Sequence, residues 1–244
     1  MTRRRRAGTT GALAGCLVVL LLCLSSCQAP RIQTQVGDPD IPESEPVRAA
    51  AAEAAPELDA LLGAVVADRE PFVTAHMDVC TQGERNWKYE DSHQWNCGWS
   101  TEAGVAGGDD VEQGLREQDE LVLAAGCKPR VFDDGNVRDI DYFIATYWDR
   151  LSGDERVARE LPPMEYECGS TELNVIPTDP GYRTETNSFQ IPECPDDASG
   201  LKPHTRTMEC DRPDRDGYQK VFQDQQDSLL LYLQVRRSYA APGW

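Results

Sequence analysis

Lysine is nearly missing from this chain: four lysines stand against 20 arginines in 244 residues. Histidine is as scarce, with three residues, His76, His93 and His204. Basic charge as a whole is outweighed, 24 Lys and Arg against 42 Asp and Glu, giving a net charge of −18. Such a surface repels phosphate backbones and anionic headgroups, which excludes nucleic acid as a partner. No apolar run reaches the roughly 20 residues that span a bilayer; Leu13–Leu24 stops at 12. The sequence holds no G-x-S-x-G, no H-E-x-x-H and no phosphate-cradling glycine loop, so the commonest hydrolase, zinc-protease and nucleotide-binding readings lack their motifs. It also has no C-x-x-C pair, which weakens zinc-ribbon and thioredoxin-like readings. No cofactor and no metal is called for.

What is present begins with targeting chemistry. Arg3–Arg6 form a basic segment, Leu13–Leu24 an apolar one, and Leu24-Ser25-Ser26-Cys27 follows. The order suits a signal peptide. Leu24-Ser25-Ser26-Cys27 resembles the lipobox of bacterial lipoproteins. The resemblance implies that the Cys27 thiol receives a diacylglyceryl group, in the manner of palmitate-type acylation, and that a dedicated peptidase cuts before it. Cys16 precedes the apolar run and Cys23 follows the bulky Leu22, so neither fits as well. Two acyl chains give stable anchoring without a basic patch. The expected location is the extracytoplasmic face of the cell membrane, with the lipid on Cys27 as the membrane contact. The Ala- and Arg-rich, lysine-poor composition resembles that of actinobacterial lipoproteins.

Residues 1–26 are thus read as signal peptide. Removing their four arginines leaves 20 basic and 42 acidic side chains, a net charge near −22. Residues 27–52, with Pro30, Pro39, Pro42 and Pro46 among small and polar residues, are read as a tether. Extended, it spans roughly 80 Å. Residues 53–240 are read as one disulfide-bonded domain. Six cysteines remain there: Cys80, Cys97, Cys127, Cys168, Cys194 and Cys210. An even count in an oxidising compartment reads as three bridges among 15 pairings. Only Cys80 with Cys97 is singled out, because both sit in strands across one turn-rich stretch.

The pattern predicts an α+β fold, an antiparallel sheet with two or three helices. Leu58, Leu61, Leu62, Val65 and Val66 mark a helix over 56–68. Phe72–Val105 reads as paired strands, with Trp95, Cys97 and Trp99 on one face. Val111–Ala125 reads as a helix capped by Asp109 or Asp110 and closed by Gly126. Val131–Asp149 reads as a hairpin whose second strand is Ile140–Trp148. Short strands are expected at 165–168, 173–176, 188–191 and 205–210, and 218–239 reads either as an echo of the hairpin at 131–149 or as a helix over 217–226 followed by a strand over 229–235. Phe132, Asp134 and Tyr142 match Phe222, Asp224 and Tyr232 at an offset of 90, which raises two similar halves, 53–150 and 151–240.

Chemistry-bearing residues are few. His76 and His204 each precede a cysteine on an expected strand, but without metal-like spacing. Asp214-Arg215-Asp216-Gly217 resembles a calcium-loop fragment, yet its twelfth position is Gln223 and the pattern fails. Trp87, Trp95 and Trp99, with Tyr89, form an aromatic hairpin able to stack on a sugar or peptide, or to pack around a disulfide. With 42 acids, paired carboxylates of a two-carboxylate hydrolase are conceivable but select no pair. The expectation is a non-catalytic envelope protein that contacts a protein or wall component. Alternatives are a solute- or glycan-binding lipoprotein and a hydrolase.

Overall fold

The computed structural model describes residues 35–85, 91–132, 135, 137–153, 156–181, 194 and 205–243. They form an α+β fold, four helices against a seven-stranded antiparallel sheet. In chain order the elements are β1 (Gln35–Val36), α1 (Glu45–Val66), β2 (Val73–Gln82), β3 (Glu84–Arg85) and β4 (Trp95–Gly108). Next come α2 (Val111–Ala124), β5 (Lys128–Pro129), α3 (Ile140–Thr146), β6 (Met164–Cys168) and β7 (Thr171–Thr178). β8 (Thr205–Asp211), α4 (Arg215–Gln223) and β9 (Leu229–Ala240) complete the set. The strand order is β5-β6-β7-β9-β4-β2-β8, and β1 pairs with β3 apart from it.

β9 lies at the centre of the sheet, and its sequence explains why. Leu229 to Val235 is apolar with one glutamine, the pattern of a strand covered on both faces. Leu229, Leu231, Leu233 and Val235 enter the core beneath α1, α2 and α3. Leu230 and Tyr232 enter a second core with Tyr218 and Phe222 of α4. Each such leucine stabilises the fold by roughly 1.5–3 kcal/mol. Beside β9, Gly104 of β4 gives room to the Phe72 ring; a Cβ there would sit 2.4 Å from Phe72 Cε2.

The capped helix and the first strand pair match expectation. Asp110 Oδ1 accepts from Gln113 N at 3.1 Å, and Gly126 takes the left-handed conformation, φ +86°, that ends α2. β2 and β4 pair in register from Val73↔Gly104 to Gln82↔Trp95. The bridges are Cys80–Cys97, Cys127–Cys168 and Cys194–Cys210. The strands expected at 165–168, 173–176 and 205–210 are present; 188–191 lies outside the described residues.

Three expectations change. First, α1 starts at Glu45, so 45–52 is helical rather than tether, and Pro56 lies inside the helix. Alanine has the highest helix propensity, and burial of Val47, Ala54 and Leu58 rewards extending the helix backwards. Second, Ile140–Thr146 is helix, not strand. Its aromatic and β-branched composition suggests a strand, but Ile140, Phe143, Ile144 and Tyr147 follow helical spacing. Asp139 also caps it by accepting from Tyr142 N at 2.9 Å. Among the described residues, the expected hairpin persists only as the isolated bridge Val131↔Val137. Third, Tyr142 lies in α3 while Tyr232 lies in β9, so the offset of 90 joins segments of unlike structure.

Candidate functional site

Two strand irregularities mark one place on the α1 side of the sheet. Along β2 and β8, Asp78 faces Glu209 but Val79 faces Thr207, leaving Met208 as an extra residue. Along β4 and β9, Cys97 faces Ala240 but Gly98 faces Ser238, leaving Tyr239 extra. A bulge of this kind re-aims a side chain and often sits beside a binding or catalytic site. Here the two flank the cross-strand pair Val79↔Gly98, next to Asp78↔Trp99. The result is a cavity of about 420 Å³ whose floor includes Asp78, Trp99, Met208, Glu209 and Tyr239. Its roof is α1, where Ala51, Ala52 and Ala55 leave space that larger side chains would fill.

A second cavity of about 330 Å³ lies further along α1, between Leu62 and Val66 above and Thr74, His76 and Thr101 below. His76 of this cavity stacks on Trp99 of the first, with ring centres 5.6 Å apart and planes 3° from parallel. The two spaces therefore adjoin along one groove.

The polar groups of the groove are few and linked. Asp78 is 5% exposed and its Oδ1 accepts from Tyr239 Oη at 2.7 Å. Burial raises the Asp78 pKa; the Tyr239 hydrogen bond opposes this and the Glu209 charge adds to it. Burial, with Asp78 beside it, also raises the Tyr239 pKa. His76 Nε2 lies 3.1 Å from Glu209 Oε1. The Trp99 Nε1 donor is buried and has no hydrogen-bond partner among the described residues.

The opposite face carries a different acid. Glu102 accepts from Arg212, from Tyr232 Oη and from Gln234 Nε2, the last at 2.9 Å. The Glu102 and Arg212 side chains are both fully buried. Burial and the Glu102 charge hold the Tyr232 pKa well above its ordinary value. This network binds β4, β9 and the residue after β8 beneath α4, and it reads as structure.

The residues singled out from sequence divide accordingly. Trp99 lines the groove. Trp95 is a correction to the ligand-contact reading: it is 3% exposed, packs with Cys80, Cys97 and Val47, and donates from Nε1 to Asp38 O at 2.7 Å. Cys27, Trp87, Tyr89 and His204 lie outside the described residues, while His93 is half-buried. The calcium-loop fragment is a helix cap, with Asp214 Oδ1 accepting from Gly217 N at 2.7 Å. Asp78, Met208, Glu209 and Tyr239 were missed: Asp78 precedes Cys80 by two residues and Met208 and Glu209 stand just before Cys210, while Tyr239 has no cysteine near it in sequence. No protein-family model, curated protein or solved structure matches this chain. Among the described residues, no helix is long and apolar enough to cross a membrane.

Proposed function

We propose that this chain is a lipid-anchored, extracytoplasmic binding protein of the cell envelope, without a catalytic role, whose ligand lies in the groove beneath α1. The observation that carries the reading is the pairing of two bulges with a cavity at Asp78↔Trp99. Ligand pockets are commonly apolar hollows with a few convergent polar groups, and Trp99, Met208 and Tyr239 beside Asp78 fit that description. The anchor rests on Leu24-Ser25-Ser26-Cys27 behind its apolar run. The partner is a protein or wall component reached from the membrane surface.

Two measurements test this. A thermal-shift panel of wall fragments, sugars and small peptides on the full chain should give a saturable rise. A ligand at 100 times its dissociation constant adds about 2.7 kcal/mol, or roughly 5–11 °C in a domain of this size. The rise should be lost in Trp99→Phe; a flat panel rejects the groove. For the anchor, Cys27→Ser should release the protein from membranes and abolish lipid labelling. A mutant that stays labelled rejects it.

One observation favours a second reading. Asp78 and Glu209 are directly opposed and share the cavity. Opposed side chains start about 5 Å apart, within reach of the ~5–9.5 Å carboxyl spacing of glycoside hydrolases. Hydrolysis of a wall glycan that disappears in both Asp78→Asn and Glu209→Gln would establish that reading over the first.

A further inference from the structure

The groove has a chemical bias that narrows what it holds. Two carboxylates, one of them buried, face the same cavity from adjacent strands. Beside them stand two aromatic rings and a thioether, those of Trp99, Tyr239 and Met208. Aromatic faces attract cations, and most strongly where water is excluded. The remainder of the trough is apolar, formed by Val47, Pro42 and the alanines of α1. Arg48 reaches the rim, but its side chain is 62% exposed and pairs with Glu45 at 3.1 Å. His76 is the other nearby base, held against Glu209.

We infer that the groove binds an organic ammonium on an apolar stem, with the cation between Asp78, Glu209 and the Trp99 and Tyr239 rings and the stem along α1. This deepens the proposed function and rests on the groove being a binding site. Charge complementarity selects the occupant: an uncharged stem would fill the trough yet leave Asp78 buried without a counter-charge. The elevated Asp78 pKa agrees, since a bound cation is what such a carboxylate lacks. The buried Trp99 N–H adds a demand for an acceptor oxygen near the cation. An amine carried on a peptide satisfies both demands; a free alkylamine satisfies the first.

The test is calorimetric titration of the full chain in maltoside micelles with four probes: Nα-acetyl-lysine methylamide, Nα-acetyl-norleucine methylamide, which keeps the four-carbon stem and lacks the amine, butylammonium, and a neutral wall disaccharide. The lysine probe should bind at least tenfold more tightly than the norleucine one, and Asp78→Asn should erase that difference. Glu209→Gln should reduce it in part, and Arg48→Ala should leave or increase it. Butylammonium binding as well as the lysine probe assigns a free amine; weaker binding assigns an amine on a peptide. Equal binding of lysine and norleucine probes overturns the cation and leaves the groove standing, as does binding of the disaccharide alone. No binding by any probe, together with a flat thermal-shift panel, overturns both.

Discussion

The two faces of the sheet each bury an acid, and they treat it in opposite ways. On the α4 face, Glu102 meets an arginine, a tyrosine and a glutamine, and no side-chain surface is left to water. On the α1 face, Asp78 meets one tyrosine, a neighbouring carboxylate that repels it, and a cavity. The first arrangement is finished within the chain. The second is left open on its cavity side. Burial alone therefore does not separate a structural acid from a functional one; the count and sign of its partners does.

The comparison breaks most sharply at Arg212. Arg212→Met leaves Glu102 buried without its counter-charge and should cost about 3–5 kcal/mol, read from urea unfolding. Adding Glu102→Gln should recover a large part of that loss. A single mutant as stable as wild type would show the Glu102 site to be solvated and the contrast false. On the groove face, removing the Cys80–Cys97 bridge opens a loop of sequence separation 17 and should cost about 3 kcal/mol. It should also weaken ligand binding, because the bridge fixes β2 against β4 two residues from Asp78↔Trp99.

Smaller effects sharpen the contrast. Tyr239→Phe removes one hydrogen bond and should cost about 1 kcal/mol, with Asp78 titrating at still higher pH. Asp78→Asn should do the reverse of what deletion of a buried acid usually does. The folded-state pKa of Asp78 lies above its ordinary 3.8, so between those values the folded protein holds more proton than the unfolded chain. Its contribution to stability therefore falls as pH rises through the raised value. The asparagine variant should melt above wild type at pH 7, and the margin should shrink as pH falls toward 4. A margin that grows toward acid would mean that Asp78 is stabilised as the carboxylate.

Much of the scaffold was legible in residue spacing, while the site was not. Cys80, Cys97 and the alternation around them marked β2 and β4; Asp110 and Gly126 bounded α2; unbroken apolar character marked β9. α3 was hidden because Phe143 and Ile144 favour strands by type and helix only by spacing. The start of α1 was hidden because alanines and prolines look like tether until Val47 and Ala54 find a core. The groove was hidden for a more general reason. Alternation assigns faces only in a regular strand, and the bulges at Met208 and Tyr239 break it where the groove forms. Asp78 was one acid among 42, and nothing in its spacing distinguished it from Glu102.

The roof of the groove is also the first long element after the amino-terminal segment. Before it, the chain is fastened by β1 to β3, by the Trp95 indole on Asp38 O, and by the Gln94 side chain on Asp38 N. Beyond these fastenings α1 itself is held to the sheet by ties such as Arg237 to Glu57 at 2.6 Å. A pull on residues before 35 would thus reach the short pairing first, the helix second and the seven-stranded sheet last. The cover of the groove is thus continuous in sequence with these fastenings, whereas its floor belongs to the seven-stranded sheet.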